Sequence, residues 1–385
     1  MKSIQKAALK ALVYIKKRGG GPKDIKEFRC GFVKRVLVVS STAIGDALFA
    51  TAAIRAIRNL VPEAAIDFVL RDKVAPIFTN YPLVDKIITY KGRYRNALQL
   101  ANIIKKRGYD LCLVFHDSDP CLCEAAFVAG VPFIFRIGQK DEKCAHLLSA
   151  RIPYDNEKHA IDQRLEVVRR VFDVPLSAKD HLKMELPVKN EEVLRYRSQL
   201  LKAIYGTSNP KEDAILVAFQ FAASGHYKEW PMDHFVELAY RLLLRQENIN
   251  IVLIGGPSDR RRAERIRDRI IGKIQGQQKG VINLAGKVSL KDLPFFLKAV
   301  DLLVTNDTGP LHVAIAVGTK TVSLFVPSNV EGTGPVQDLH LHRVITRPKP
   351  CTPCVEKYCK RPSCMGLITV EDVEREVLGS LGLDL

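Results

Sequence analysis

Short apolar runs along the chain alternate with longer stretches in which apolar residues recur every three to four positions. Arg35–Ser41 (RVLVVSS) is a continuous apolar run, as expected of a parallel strand covered on both faces. A glycine-containing turn follows, then helical periodicity from Ala47 to Arg58. Further strands are predicted at Ala65–Leu70, Lys86–Tyr90 and Asp110–Phe115. After a polar, lysine-rich stretch at 176–212 the alternation restarts. Strands are predicted at Ala214–Phe219, Ile249–Gly255, Val281–Ala285, Asp301–Thr305 and Thr321–Val326. Helices are predicted at Met232–Gln246, Ser258–Ile274, Leu290–Ala299 and Gly309–Val317, and Ser289 with Asp292 and Thr369 with Asp372 read as helix caps. Strand–helix alternation of this kind predicts an α/β protein with parallel sheets, here two Rossmann-like halves in tandem.

The expected organisation is a basic N-terminal extension at 1–33, a first Rossmann-like domain at 34–185 and a linker at 186–212. A second Rossmann-like domain at 213–350 and a cysteine-rich loop with a closing helix at 351–385 complete it. Within the extension, residues 2–18 fit an amphipathic helix. Ile4, Ala8, Ala11, Leu12 and Ile15 fall on one side and Lys2, Lys6, Lys10 and Lys17 on the other. Gly19-Gly20-Gly21-Pro22 ends the helix. Such a helix suits an interfacial membrane anchor, or else a helix docked on its own protein.

Charge sharpens this picture. The chain of 385 residues carries 59 Lys and Arg against 42 Asp and Glu, a net +17. Residues 1–35 alone hold eleven Lys or Arg against Asp24 and Glu27. A basic end implies an anionic partner, a membrane surface or a nucleic acid. An odd count of nine cysteines in a long chain argues against a secreted disulfide scaffold. With no cleavable leader pattern, a cytoplasmic location is expected.

Five segments can carry chemistry. Ser40–Asp46 stands where the first strand meets the first helix. Gly45 allows close backbone approach, and the Asp46 carboxylate can serve as a general base or merely favour the helix dipole. The sequence contains no G-x-G-x-x-G, so no dinucleotide fingerprint is present. Thr305–His312 ends a later strand; Thr308 and Gly309 open a helix whose N–H groups suit a phosphate, and His312 follows one turn on. Ala222–Pro231 holds Ser224, Lys228 and the single Trp; Lys228 can act as a point charge for a diphosphate or as a solvated loop lysine. Ile254–Asp259 is a further strand-to-helix turn. Finally, Cys351, Cys354, Cys359 and Cys364 could form a tetrahedral metal site or a set of reduced thiols.

Taken in order, Ala43-Ile44-Gly45-Asp46, Lys228-Glu229-Trp230-Pro231, Ile254-Gly255-Gly256-Pro257, Asn283-Leu284-Ala285-Gly286 and Thr305-Asn306-Asp307-Thr308-Gly309-Pro310-Leu311-His312 resemble glycosyltransferase family 9, the ADP-heptose:lipopolysaccharide heptosyltransferases. Cys351-Thr352-Pro353-Cys354 and Cys364-Met365 resemble its closing segment. The resemblance implies a GT-B fold, two Rossmann-like domains facing each other across a cleft, with the C-terminal helix packed back on the first domain. It implies inverting transfer without metal or other cofactor. Asp46 matches the catalytic base and Lys228 the lysine on the donor diphosphate. Asp307, Thr308, Gly309 and His312 match the donor block, Ser224 a hydroxyl near the phosphates, and Asp259 a position near the ribose. One departure is Gln220-Phe221-Ala222, where relatives often read His-Pro-Gly.

The expected reaction moves heptose from ADP-heptose to an anionic Kdo- or heptose-bearing glycolipid. The enzyme is then peripheral on the cytoplasmic face of the inner membrane through residues 2–18. The alternatives are another sugar from a nucleotide donor, or a basic RNA-binding protein. Aromatics at 7% supply few stacking platforms for the latter, so no nucleic acid is expected.

Overall fold

Each apolar run becomes a strand whose two faces are covered by helices. The computed structural model describes residues 2–138, 144–176, 183–206, 213–275, 280–351, 354–355, 358–359 and 363–384. They divide into two units, Met1–Glu185 and Leu186–Leu385.

The first unit contains β1 (Arg35–Ser40), β2 (Ala65–Arg71), β3 (Lys86–Tyr90), β4 (Leu111–His116), β5 (Phe133–Gly138) and β6 (Ala150–Pro153). All pair in parallel, in the order β3-β2-β1-β4-β5-β6. Val36 through Val39 are buried on both faces of the sheet, which explains why β1 shows no polar alternation. Its helices are α1 (Lys2–Lys17), α2 (Ile44–Leu60), α3 (Ala97–Arg107), α4 (Cys121–Ala129) and α5 (Ala160–Phe172). α2 packs with α5 and α3 with α4, while α1 lies on α3 and α4. β5 and β6 do not appear among the sequence predictions. β5 carries Arg136 in its middle, and β6 is a four-residue edge strand.

α1 forms where expected. The side chains it buries are Leu9 and Val13, and Ile4, Leu12 and Ile15 stay exposed.

The second unit repeats the plan with β7 (Ile215–Gln220), β8 (Ile249–Ile254), β9 (Val281–Asn283), β10 (Leu302–Asn306), β11 (Lys320–Phe325) and β12 (His342–Thr346). The order is β12-β11-β10-β7-β8-β9, again parallel throughout. Its helices are α6 (Asn190–Tyr205), α7 (Met232–Arg245), α8 (Arg260–Lys273), α9 (Leu293–Ala299), α10 (Gly309–Ala316), α11 (Val330–Thr333) and α12 (Val370–Leu381). α6 falls within the stretch read as a linker, part of which (207–212) lies outside the described residues. It packs on α9, and Arg197 donates to the Ala299 and Ala214 carbonyls at 2.9 and 2.8 Å. α12 packs within this second unit, on α7 and on β10 to β12. Val373, Val377 and Leu378 supply the reason: they join the apolar core of the second sheet. Thr369 caps α12, accepting the Asp372 N–H at 3.2 Å.

Both sheets share the doubly wound order in which the chain reverses direction next to the first strand. That reversal opens a crevice beyond the carboxyl ends of two adjacent strands. It lies between β1 and β4 in the first unit and between β7 and β10 in the second.

Candidate active site

Asp46 sits at the first crevice. The helix begins three residues earlier than the periodicity predicts, so Asp46 occupies the first turn of α2, directly after β1. Its Oδ2 accepts the Thr42 hydroxyl at 2.6 Å and the Ala43 N–H at 3.4 Å. Its Oδ1 accepts from Arg164 Nη2 at 3.1 Å. His116, the last residue of β4, places Nδ1 2.8 Å from Thr42 Oγ1. Thr42 has one hydroxyl proton, and Asp46 receives it, so His116 Nδ1 is the donor to Thr42. This fixes the tautomer and leaves His116 Nε2 as an acceptor on a side chain that is 43% exposed.

The electrostatics follow from this packing. Burial pushes the Asp46 carboxyl up, but His116, Arg164 and the Thr42 hydroxyl outweigh it, and the net shift is downward. Burial pushes His116 down, against the upward pull of Asp46. The pair is therefore an ionised carboxylate beside a neutral imidazole at neutral pH. A carboxylate so held, partly open to solvent, can accept a proton from a bound hydroxyl.

The second crevice holds Lys228 and Asp307. Lys228 ends a short turn, His226–Lys228, in the loop after β7, and Asp307 follows β10. Lys228 Nζ donates to Asp307 Oδ2 at 2.7 Å, and His312 Nε2 lies 3.9 Å from Oδ1. Burial raises the Asp307 carboxyl, and Lys228 and His312 more than reverse it. Thr308 is the N-cap of α10, with Gly309 and Pro310 in the first turn. The first-turn N–H groups and the helix dipole form a site that favours an anion beside the Lys228 cation.

The loop carrying Lys228 is fastened from within. Asn306 is fully buried; its Nδ2 donates to the Phe221 carbonyl at 2.9 Å, and its Oδ1 accepts the Trp230 N–H at 3.0 Å. One side chain thus pins both ends of the loop. Glu229 accepts a bidentate pair from Arg262 at 3.0 and 2.8 Å and the Ala223 N–H at 3.2 Å. Gln220 Nε2 donates to the Ala222 carbonyl at 2.9 Å, which stabilises the turn after β7.

The remaining candidates are placed as follows. Gly45 is buried in the first turn of α2. Ser224 is exposed on the Lys228 loop. Asp259 Oδ2 accepts the Gly256 N–H at 2.8 Å, closing the turn after β8. Beside that turn Gly286 has φ +75°, and a Cβ there would meet the Pro257 Cα at 2.8 Å, so only glycine lets the two turns touch. Cys351, Cys354, Cys359 and Cys364 are free thiols. Among the described residues no three His, Cys, Asp or Glu side chains are gathered as a metal ion needs. Spacing alone misses Arg164, His116 and Arg262. A signal for Arg164 was present: it shares a helix face with Ile161, Leu165 and Val168, where an unpartnered cation would be costly.

The sequence profile described as glycosyltransferase family 9 (heptosyltransferase) matches residues 97–364. Lipooligosaccharide heptosyltransferase 2 of Campylobacter jejuni serotype O:6 is 25% identical over 351 residues, covering 89% of this chain and 98% of that one. Lipopolysaccharide heptosyltransferase 2 of Salmonella typhimurium is 27% identical over 319 residues, 81% of this chain and 87% of the other. The solved structure of Escherichia coli ADP-heptose lps heptosyltransferase II superposes with a TM-score of 0.72 at 23% identity, over 90% of this chain and 98% of that one. Its two sheets and their helices share the fold of the GT-B heptosyltransferase structures, and the chain belongs to glycosyltransferase family 9.

Proposed function

We propose that this glycosyltransferase moves heptose from ADP-heptose to a lipopolysaccharide inner-core acceptor, a Kdo- or heptose-bearing lipid A held at a membrane surface. The observation that carries the reading is that the switch point of the first unit holds an ionised, hydrogen-bonded Asp46 and that of the second holds the Lys228–Asp307 pair. Asp46 takes the proton of the acceptor hydroxyl as its oxygen attacks the anomeric carbon. A new C–O bond forms on one face while the bond to the diphosphate breaks on the other, so the configuration inverts. The sugar acquires oxocarbenium character, as in other glycosyl transfers. ADP leaves with the bonding electrons. Lys228 and the N–H groups at the start of α10 stabilise the charge that develops there, an effect of about 2.7–4 kcal/mol per preorganised contact in comparable sites. His312 holds Asp307 in place, Ser224 and Thr308 contact phosphate oxygens, and Asp259 lies toward the ribose.

The test is product mass. Purified protein is mixed with ADP-heptose and a panel of Kdo-bearing lipid acceptors, with UDP-sugars as parallel donors. A heptose increment on one acceptor identifies the step. An increment only with another donor replaces the sugar, and no transfer from any donor overturns the reading.

A further inference from the structure

α1 is docked with its apolar stripe turned away from the protein. Leu9 and Val13, 0% and 8% exposed, are the apolar side chains it buries against α3 and α4. Much of the remaining docking contact is polar. Lys16 Nζ donates to the Val128 carbonyl at 3.2 Å and lies 5.6 Å from the Phe127 ring centroid. Lys6 Nζ stands over the Tyr94 ring at 5.6 Å, and Gln5 accepts the Leu98 N–H at 3.3 Å. Opposite these, Ile4, Ala8, Ala11 and Ile15 recur at the i, i+4, i+7, i+11 spacing that lines up one helix face, with Leu12 beside them. Ile4, Leu12 and Ile15 are 71%, 41% and 63% exposed.

A helix of a soluble protein ordinarily turns its apolar stripe to the core. Scattered exposed apolar residues need no explanation, but a continuous stripe on one face marks an interaction surface. The charge around it indicates the partner. α1 has no acid along its length; Lys2, Lys10, Lys17 and Arg18 are exposed, and burial, with Lys105 of α3 nearby, pushes Lys16 downward. Apolar side chains rimmed by long cationic ones suit a bilayer interface: the apolar groups enter the acyl boundary, and the ammonium groups reach anionic headgroups. The segment after α1 is tied as well, since the Lys23 N–H donates to the Pro132 carbonyl at 2.9 Å. The helix is thus fixed to its unit at both ends rather than free on a tether.

We propose that the Ile4–Leu12–Ile15 face of α1 is a rigid platform that lies on an anionic lipid bilayer, with α3 and α4 behind it. This deepens the reading of a membrane-held acceptor and rests on that reading for its purpose. The test is sedimentation of the full chain with vesicles of phosphatidylcholine and phosphatidylglycerol in equal parts, beside vesicles of phosphatidylcholine alone. No sugar donor is present, so failure of sugar transfer and failure of the platform read out separately. Wild type is expected to pellet with the anionic vesicles and to be released by salt. The combined Ile4→Asp, Leu12→Asp, Ile15→Asp variant is expected to lose binding at least tenfold, with circular dichroism and melting temperature unchanged. Lys10→Glu with Lys17→Glu should weaken binding to anionic vesicles several-fold. Wild-type binding by the triple variant, or no wild-type binding at all, overturns the proposal. So does a wild-type dimer in sedimentation velocity that the triple variant dissociates, because a second copy then covers the stripe.

Discussion

Arg164 reaches Asp46 from 118 positions along the chain, and its Nη2 lies 3.1 Å from the Asp46 Oδ1. The arginine side chain is 3% exposed and the carboxylate 24%. A buried guanidinium needs a counter-charge, and a carboxylate held beside it stays ionised. The pair therefore fixes both the place and the protonation state of the proposed base.

Asp46→Asn keeps the shape and removes the basic oxygen. Sugar transfer is expected to fall by about 10²–10⁴, the usual contribution of a positioned general base. ADP affinity, measured by calorimetry, is expected to stay within a factor of two, because the donor residues proposed here all lie in the second unit. Loss of ADP binding together with turnover would remove Asp46 from the role of base.

Arg164→Gln tests the positioning directly. With the downward pull of the guanidinium gone, only His116 and the Thr42 and Ala43 hydrogen bonds oppose burial, and the Asp46 carboxyl rises. A base with a lowered pKa is active above that value and lost as pH falls through it. The acid limb of kcat is therefore expected to move to higher pH in the variant, with KM for the donor little changed. An acid limb that stays in place while kcat falls would make Arg164 a packing residue only.

These two residues show where sequence reading succeeds and where it ends. Asp46, Lys228 and Asp307 all lie between the end of a strand and the first turn or two of the following helix, so strand prediction alone brings them to the carboxyl ends of a parallel sheet. Most strand ends were legible because β1, β8 and β10 are buried on both faces. β6 and β12 are edge strands, with Arg151 and Arg343 open to solvent, and gave no such run. Arg164 lies on a helix far along the chain, and its partner is set by tertiary packing of α5 on α2. The facing of α1 is not legible in the sequence for a related reason. Periodicity identifies the stripe, but only the contacts with α3 and α4 show that the protein takes the neighbouring face.

Lys228→Ala removes a cation that touches Asp307 and faces the anion site. The charge-assisted contact it would make with a diphosphate is worth about 1.5–3 kcal/mol, or roughly a 10- to 150-fold loss of ADP affinity. Turnover should fall with it. Lys228→Arg is expected to recover only part, because a planar fork cannot replace a point charge at 2.7 Å from Asp307. Unchanged ADP affinity in Lys228→Ala would place the diphosphate elsewhere.

His342 offers a stability test away from the site. It is 5% exposed on β12, with Nδ1 3.0 Å from Thr321 Oγ1, and burial pushes it down from 6.5 to about 4. The folded state favours the neutral ring, so stability is retained above the unfolded value of 6.5. It is lost progressively as pH falls from there toward 4, by up to about 3 kcal/mol. His342→Gln should flatten this part of the curve in urea unfolding at pH 7 and pH 4.5. An equal acid slope in both proteins would assign the loss to other groups.

Arg262→Ala should act on the donor without touching it. Arg262 fastens Glu229 through two N–H···O bonds, and Glu229 in turn holds the Ala223 N–H, so the loop bearing Lys228 is closed on the first turns of α8. Without the guanidinium, burial leaves the Glu229 carboxyl higher, and its remaining partners are His226 and one backbone N–H. The loop then samples positions in which Lys228 is displaced, and a shift of this kind weakens ground state and transition state together. KM for the donor is expected to rise about tenfold with a smaller fall in kcat, as for lost uniform binding. Arg262→Lys should rescue poorly, since a single ammonium cannot span both carboxylate oxygens. Full rescue by lysine would show that charge alone, and not the two-pronged geometry, holds the loop closed.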